Sequence, residues 1–178
     1  HLIDDDGSLM WKNKLGANMD SVAIDRWQGK TRAICSGFGH VVTADGEVVL
    51  SLGKESVPHG QEVRVADFHS GHAGNEMVLR AFGHKPTIHL VSSESNKIIN
   101  TIELQFSPTN VGMEPVYWNG PEQPALLFNG GWLWDMQRGK GWQLPDLPPP
   151  NGGDVHRMGF YHAIPANLVG NGREELVV

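Results

Sequence analysis

Four times along this chain, an extended apolar stretch runs to an Asp or Asn, passes a turn glycine and continues as a second hydrophobic stretch. The four are Val22–Asp25 to Gly29 with Arg32–Cys35, Val63–Asp67 to Gly71 with Glu76–Leu79, Val116–Gly120 with Ala125–Phe128, and Ile164–Asn167 to Gly170 with Glu174–Val177. Their glycines, 29, 71, 120 and 170, recur at intervals of 42, 49 and 50 residues. Between these units lie further hairpins. Asp6-Gly7 separates His1–Ile3 from Leu9–Trp11, and Asp45-Gly46 separates Val41–Thr43 from Val48–Leu50. A Ser-rich loop ending at Asn96 joins Ile88–Val91 to Ile98–Ile102, and Gly139 lies between Trp132–Trp134 and Trp142. Asp-Gly accepts the positive φ that two-residue hairpin turns require. A unit this small cannot bury its own apolar face, so neighbouring units must stack.

Four short strands per unit of about 40–50 residues is the repeat of a β-propeller blade. The sequence therefore predicts an all-β fold of four-stranded antiparallel blades, with no helix of consequence. Naming the strands A to D outward from the axis, residues 1–178 read as a single propeller region. It comprises an outer half-blade at 1–16, blades at 19–52, 62–104 and 113–145, and an inner half-blade at 160–178. Both ends fall in strand-like sequence, which favours a fragment of a larger propeller of about seven blades, with further blades of the same parent chain as partners. A closed four-bladed ring and a β-sandwich are the alternatives.

The formal net charge of −6 argues against nucleic acid and anionic membrane as partners. No apolar run reaches the length of a membrane span, and the first residues do not form a signal peptide. The single cysteine, Cys35, allows no disulfide within the chain and reads as a buried, inert thiol.

In an up-and-down blade, A–B and C–D turns share one rim, and B–C and D–A connections share the other. The second rim receives the B–C turns Gly37-Phe38-Gly39-His40, Ala81-Phe82-Gly83-His84 and Asn129-Gly130-Gly131. It also receives His59–Glu62, Asn110–Glu114 and Arg157–His162, the residues that lead into strand A. Phe-Gly-His occurs twice, placing His40 and His84 at equivalent positions. With Arg80 just before the second turn, this rim is dense in His, Arg, Asn and Tyr. Such a set suits binding and deprotonation of an anionic sugar: Arg pairs with a carboxylate, His titrates near neutrality, and Tyr passes a proton. Each residue also has a structural reading. His40 and His84 can cap turns, Tyr161 and Trp118 can pack, and Glu62 and Glu114 can be solvated or paired with arginine. Trp132, Trp134 and Trp142 read as outer-strand packing before they read as a sugar platform.

Calcium loops in propeller repeats place oxygen ligands at alternate positions. Asp25–Gly29 and Asp67–Gly71 keep the first acid and lose the others. No metal ligand set is assigned from the sequence, and calcium or another divalent cation is kept as the alternative.

His59–Phe68, Asn75–Arg80 and Phe82-Gly83-His84, followed by Leu127–Gly131, Tyr161-His162 and Gly172–Val177, resemble the β-propeller polysaccharide lyases. The groups concerned are the rhamnogalacturonan, rhamnose–glucuronate and ulvan lyases. The resemblance spans most of the chain. It implies a secreted enzyme that cleaves an acidic, uronate-containing polysaccharide or oligosaccharide by β-elimination. By the same analogy His84, Tyr161, His162 and His40 are the catalytic candidates. Arg80, Arg157, His59, Asn110, Glu114 and Asn129 would bind substrate, with Arg80 or Arg157 clamping the carboxylate. A non-catalytic propeller that binds carbohydrate or protein is the competing reading. A hydrolase using Glu62 and Glu114 is a third, and would need the two carboxyls about 5–9 Å apart.

Overall fold

Each expected hairpin pair is present as strands in the computed structural model, which describes residues 1–82, 85, 87–103, 112–128, 132–144 and 164–177. A two-stranded hairpin, β1 (Leu2–Ile3) and β2 (Leu9–Trp11), comes first. Three four-stranded antiparallel sheets follow, each a simple meander. The first is β3 (Val22–Trp27), β4 (Lys30–Cys35), β5 (His40–Val42) and β6 (Val48–Leu50); the second is β7 (Glu62–Ala66), β8 (Glu76–Arg80), β9 (Thr87–Ser92) and β10 (Lys97–Glu103). The third is β11 (Met113–Val116), β12 (Ala125–Phe128), β13 (Trp132–Asp135) and β14 (Lys140–Gln143), and the hairpin β15 (Ile164–Ala166) and β16 (Glu175–Val177) comes last. Helix among the described residues amounts to a single α-turn at Gly53–Ser56 and a 3₁₀ turn at Gly37–Gly39.

Strand periodicity explains how the sheets stack. Side chains alternate across a strand, so Val63 and Val65 of β7 point one way and Glu62, Arg64 and Ala66 the other. Val63 and Val65 join Trp27, Ile34, Val41, Met77 and Leu79 in a core between the first and second sheets. Ala66, Val78, Ile88 and Leu90 join Met113, Leu126, Phe128 and Trp134 in a core between the second and third. Val116, Ala125, Leu127 and Leu133 pack against Leu176 of the last hairpin. The second sheet is thus covered on both faces, which is why β8 and β9 are buried along their whole length. The first strands of successive sheets are neighbours: β3 beside β7, β7 beside β11, β11 beside β15. Among the described residues no sheet closes on itself.

The two rims sort as topology requires. On one, A–B and C–D turns of adjacent sheets interlock: Trp27 Nε1 donates to Asn96 Oδ1 at 2.8 Å, and Gln123 Nε2 to the Phe68 carbonyl at 2.6 Å. On the other, His59 and Phe82 form a parallel bridge, and Leu52 N–H donates to the Phe38 carbonyl. A carboxylate at the start of the second strand steadies the A–B loop in two of the units. Glu76 Oε2 accepts from His69 N at 2.9 Å, and Glu175 Oε2 accepts from Leu168 N at 2.8 Å and Val169 N at 3.2 Å.

One boundary differs from the sequence expectation. The inner strand of the third sheet is Met113–Val116, earlier than the extended stretch from Val116 that the repeat pattern marks before the Asn119-Gly120 turn, with Glu114 opposite Leu127. Tyr117 leaves the ladder because the last hairpin takes its backbone: its N–H donates to Glu174 Oε2 and its carbonyl accepts from Glu174 N. Cys35 is buried as expected, and burial raises its thiol pKa.

Close approach between the first and second sheets depends on Gly60. A Cβ there would collide with the backbone carbonyl of Ser36, which cannot yield as a side chain would. Gly60→Ala should therefore cost about 2 kcal/mol or more, read as a lower urea midpoint. Gly7→Ala, where nothing lies within 4 Å but φ is +85°, should cost about 1 kcal/mol. Equal losses at the two positions would contradict this packing.

Candidate functional site

The rim that carries the B–C turns gathers its charges at the start of the inner strands. Glu62 and Arg64 are two residues apart on β7 and so share a face, Arg80 of β8 lies directly opposite Glu62, and Glu114 comes from the neighbouring β11. Arg64 holds the group together. Its Nε and Nη2 meet Glu114 Oε2 and Oε1 at 3.2 and 2.9 Å, Nη2 also meets Glu62 Oε1 at 3.0 Å, and Nη1 donates to the Val63 carbonyl at 2.8 Å. Glu62 Oε1 in turn accepts from Met113 N at 3.1 Å, which ties β7 to β11. Arg80 is fully buried, with Nε 3.3 Å from the Lys85 carbonyl.

Burial sets the protonation of this group. It pushes Glu62 up to about 7, against the pull of Arg64, the Met113 N–H and Arg80. It draws Arg80 down to about 10, with Glu62 acting the other way, so this guanidinium keeps its charge at neutral pH. With every member ionised, two acids balance two bases. Protonation of Glu62 leaves one net positive charge beneath the rim.

A more accessible pair lies beside it. His59 Nε2 is 3.1 Å from Asp20 Oδ2; the imidazole is half exposed, at 51%, and the carboxylate less so, at 24%. The His59–Phe82 bridge sets the backbone of His59 beside that of Phe82. Sequence reasoning missed Asp20, although the signal was present, since Asp20 leads into β3 as His59 leads into β7.

Of the residues assigned from the sequence, His40, His59, Arg80 and Glu114 are described. His84, Tyr161, His162, Arg157, Asn110 and Asn129 lie outside the described residues. His40 is buried at 6%, its Nε2–H donating to the Leu15 carbonyl at 3.1 Å, and its ring stands edge-on to Phe38. Phe38 has φ +54°, a left-handed conformation that a non-glycine residue adopts only when its surroundings impose it. In this position His40 fastens the segment before β3 to the 3₁₀ turn, and its ring is sealed from solvent. Arg80 likewise faces the interior, and Glu114 is engaged by Arg64. Glu62 and Glu114 are joined through one guanidinium nitrogen, Arg64 Nη2, which is committed to both carboxylates. Trp134 is buried in the core between sheets, Trp132 packs against that core, and Trp142 packs against the third. Among the described residues no three His, Cys, Asp or Glu side chains come together as a metal site. No described helix is long and apolar enough to cross a membrane.

No protein-family model, curated protein or solved structure matches this chain.

Glu62 and Glu76 are both buried carboxyls, and burial pushes each up to about 7. Each binds its proton more tightly folded than unfolded, so its contribution is greatest below pH 4.5 and is lost as pH rises through about 7. Thermal stability of the parent should therefore fall between pH 4.5 and 7.5. Glu62→Gln and Glu76→Gln should each flatten that slope, by on the order of 1 kcal/mol across the window. Tm profiles that run parallel to the parent's would contradict the assignment.

Proposed function

We propose that this chain is a sector of a β-propeller of about seven blades that binds an acidic, uronate-containing glycan on the B–C/D–A rim and cleaves it by β-elimination. The observation that carries the binding half is the Asp20–His59 pair. It is a half-exposed imidazole oriented by a carboxylate, with the His59 backbone bridged to Phe82, after which Gly83 and His84 follow in sequence. The resemblance to the propeller lyases supports the chemical half. A base takes the C5 proton, a C4–C5 double bond forms as the C4–O bond breaks, and the departing oxygen takes a proton. His84, Tyr161 and His162 are the base and acid candidates, and Arg157 is the clamp for the substrate carboxylate. A fixed cation lowers the barrier because negative charge builds on that carboxylate as the proton leaves. His59 contributes a hydrogen bond to the sugar. Enzymes of this kind act outside the cell, and secretion belongs to the same proposal.

A second reading, a propeller that binds carbohydrate or protein without cleaving it, is favoured by a different observation. Arg64 and Glu114 are spent on each other, and Arg80 and His40 are buried. These four groups therefore build the rim rather than react on it.

Incubation with a panel of uronate-containing glycans separates the two. The lyase reading predicts ultraviolet absorbance from the unsaturated product, about 10²-fold or more slower in His84→Ala and about tenfold slower in His59→Ala. Saturable glycan binding with no absorbance gain across the panel would establish the binding module instead.

A further inference from the structure

On the opposite rim, the third sheet carries a cleft of about 380 Å³, within the range of small-molecule sites. It opens between the turn joining β11 to β12 and the turn joining β13 to β14. Asn119, Glu122, Gln123, Asp135, Arg138 and Trp142 line it. We propose that this cleft is a binding site for a neutral saccharide, one or two sugar residues long.

Three features point to that ligand. The first is a fixed aromatic wall. Trp142 pairs with Leu133 across β13 and β14 and packs on the core of Val116, Ala125, Leu127 and Leu133, so its indole is held from behind while it lines the cleft. An indole held in this way offers a sugar's apolar face a surface without the cost of ordering it first.

The second is a set of polar groups already in place. Asp135 Oδ1 accepts from Arg138 N at 3.0 Å and Oδ2 from Arg138 Nη1 at 2.6 Å, which fixes the turn and aims the guanidinium. Gln123 is anchored on its far side, where Nε2 donates to the Phe68 carbonyl and to Gln137 Oε1. Arg138 is 65% exposed and keeps donors for a hydroxyl beyond the one given to Asp135.

The third is charge. Glu122 and Asp135 outnumber Arg138, so the cleft is net negative and would repel a uronate. Hydroxyls, which both accept from Arg138 and donate to the carboxylates, match it better. The site thus differs from the rim proposed for the acidic glycan in position, in sign and in ligand, and its failure would leave that proposal untouched.

Titration calorimetry with xylo-, manno- and cello-oligosaccharides, with oligogalacturonate as the acidic control, tests it. The parent should show saturable binding to at least one neutral oligosaccharide and none at this site to oligogalacturonate. Arg138→Ala should weaken that binding about fivefold, the loss of about one hydrogen bond, and Trp142→Ala should abolish it. Because Trp142 also packs on the core, Glu122→Lys gives an independent reading from an exposed position. It should weaken the neutral sugar and admit oligogalacturonate. No saturable binding to any neutral oligosaccharide, or binding indifferent to both Arg138→Ala and Glu122→Lys, would overturn the proposal.

Discussion

Arg64 is the point on which the arrangement of the sheets turns. It bridges Glu62 of its own strand and Glu114 of the next sheet, at the ends of β7 and β11. Apolar packing alone would hold the second and third sheets together but would tolerate sliding, since one aliphatic surface resembles another. A guanidinium with several donors committed to fixed oxygens does not tolerate it, because each oxygen has a required place. With β7 and β11 locked at this end, the first residues of the two inner strands are held side by side. The Met113 N–H on Glu62 secures the same junction through the backbone.

That commitment shapes what the rim can do. Opening Arg64 for a substrate carboxylate would take the shared cation from Glu62, which is buried, and from Glu114, which is partly exposed, and the buried one carries the larger cost. A ligand that supplied only an equivalent carboxylate would gain little from the exchange. Under the proposed function, recognition at this end of the sheets falls to groups with capacity to spare, such as the Asp20–His59 pair. The cleft beside Trp142 stands apart from this constraint. Its polar groups lie on exposed turns, where a hydroxyl can be accepted without dismantling anything that joins two sheets.

Much of the architecture was legible because its signals are local. Asp6-Gly7 and Asp45-Gly46 specify tight turns through backbone conformation, and the alternation of Val63 and Val65 with Glu62 and Arg64 specifies a strand with two different faces. The repeated turn glycines then gave the period. What escaped was settled by partners remote in sequence. Tyr117 belongs by pattern to a strand, and Glu174, 57 residues away, draws its backbone out of the ladder. His40 and His84 read as equivalents, yet nothing in the sequence around His40 announces that the Leu15 carbonyl takes its ring. Arg80 read as a clamp through the family resemblance; the full length of β8 is buried instead because both faces of its sheet are covered. Asp20 could have been found by applying to the first sheet the rule applied to the other three.

The interaction that anchors the account is open to direct measurement by a double-mutant cycle on Arg64→Met and Glu114→Gln, with unfolding free energies from urea titration at pH 8, where Glu62 is ionised. A bridge that fixes β7 against β11 predicts a coupling of about 1–3 kcal/mol between the two substitutions. Additive effects, within about 0.5 kcal/mol, would mean that the guanidinium and the carboxylate act independently and that something else sets one sheet upon the next.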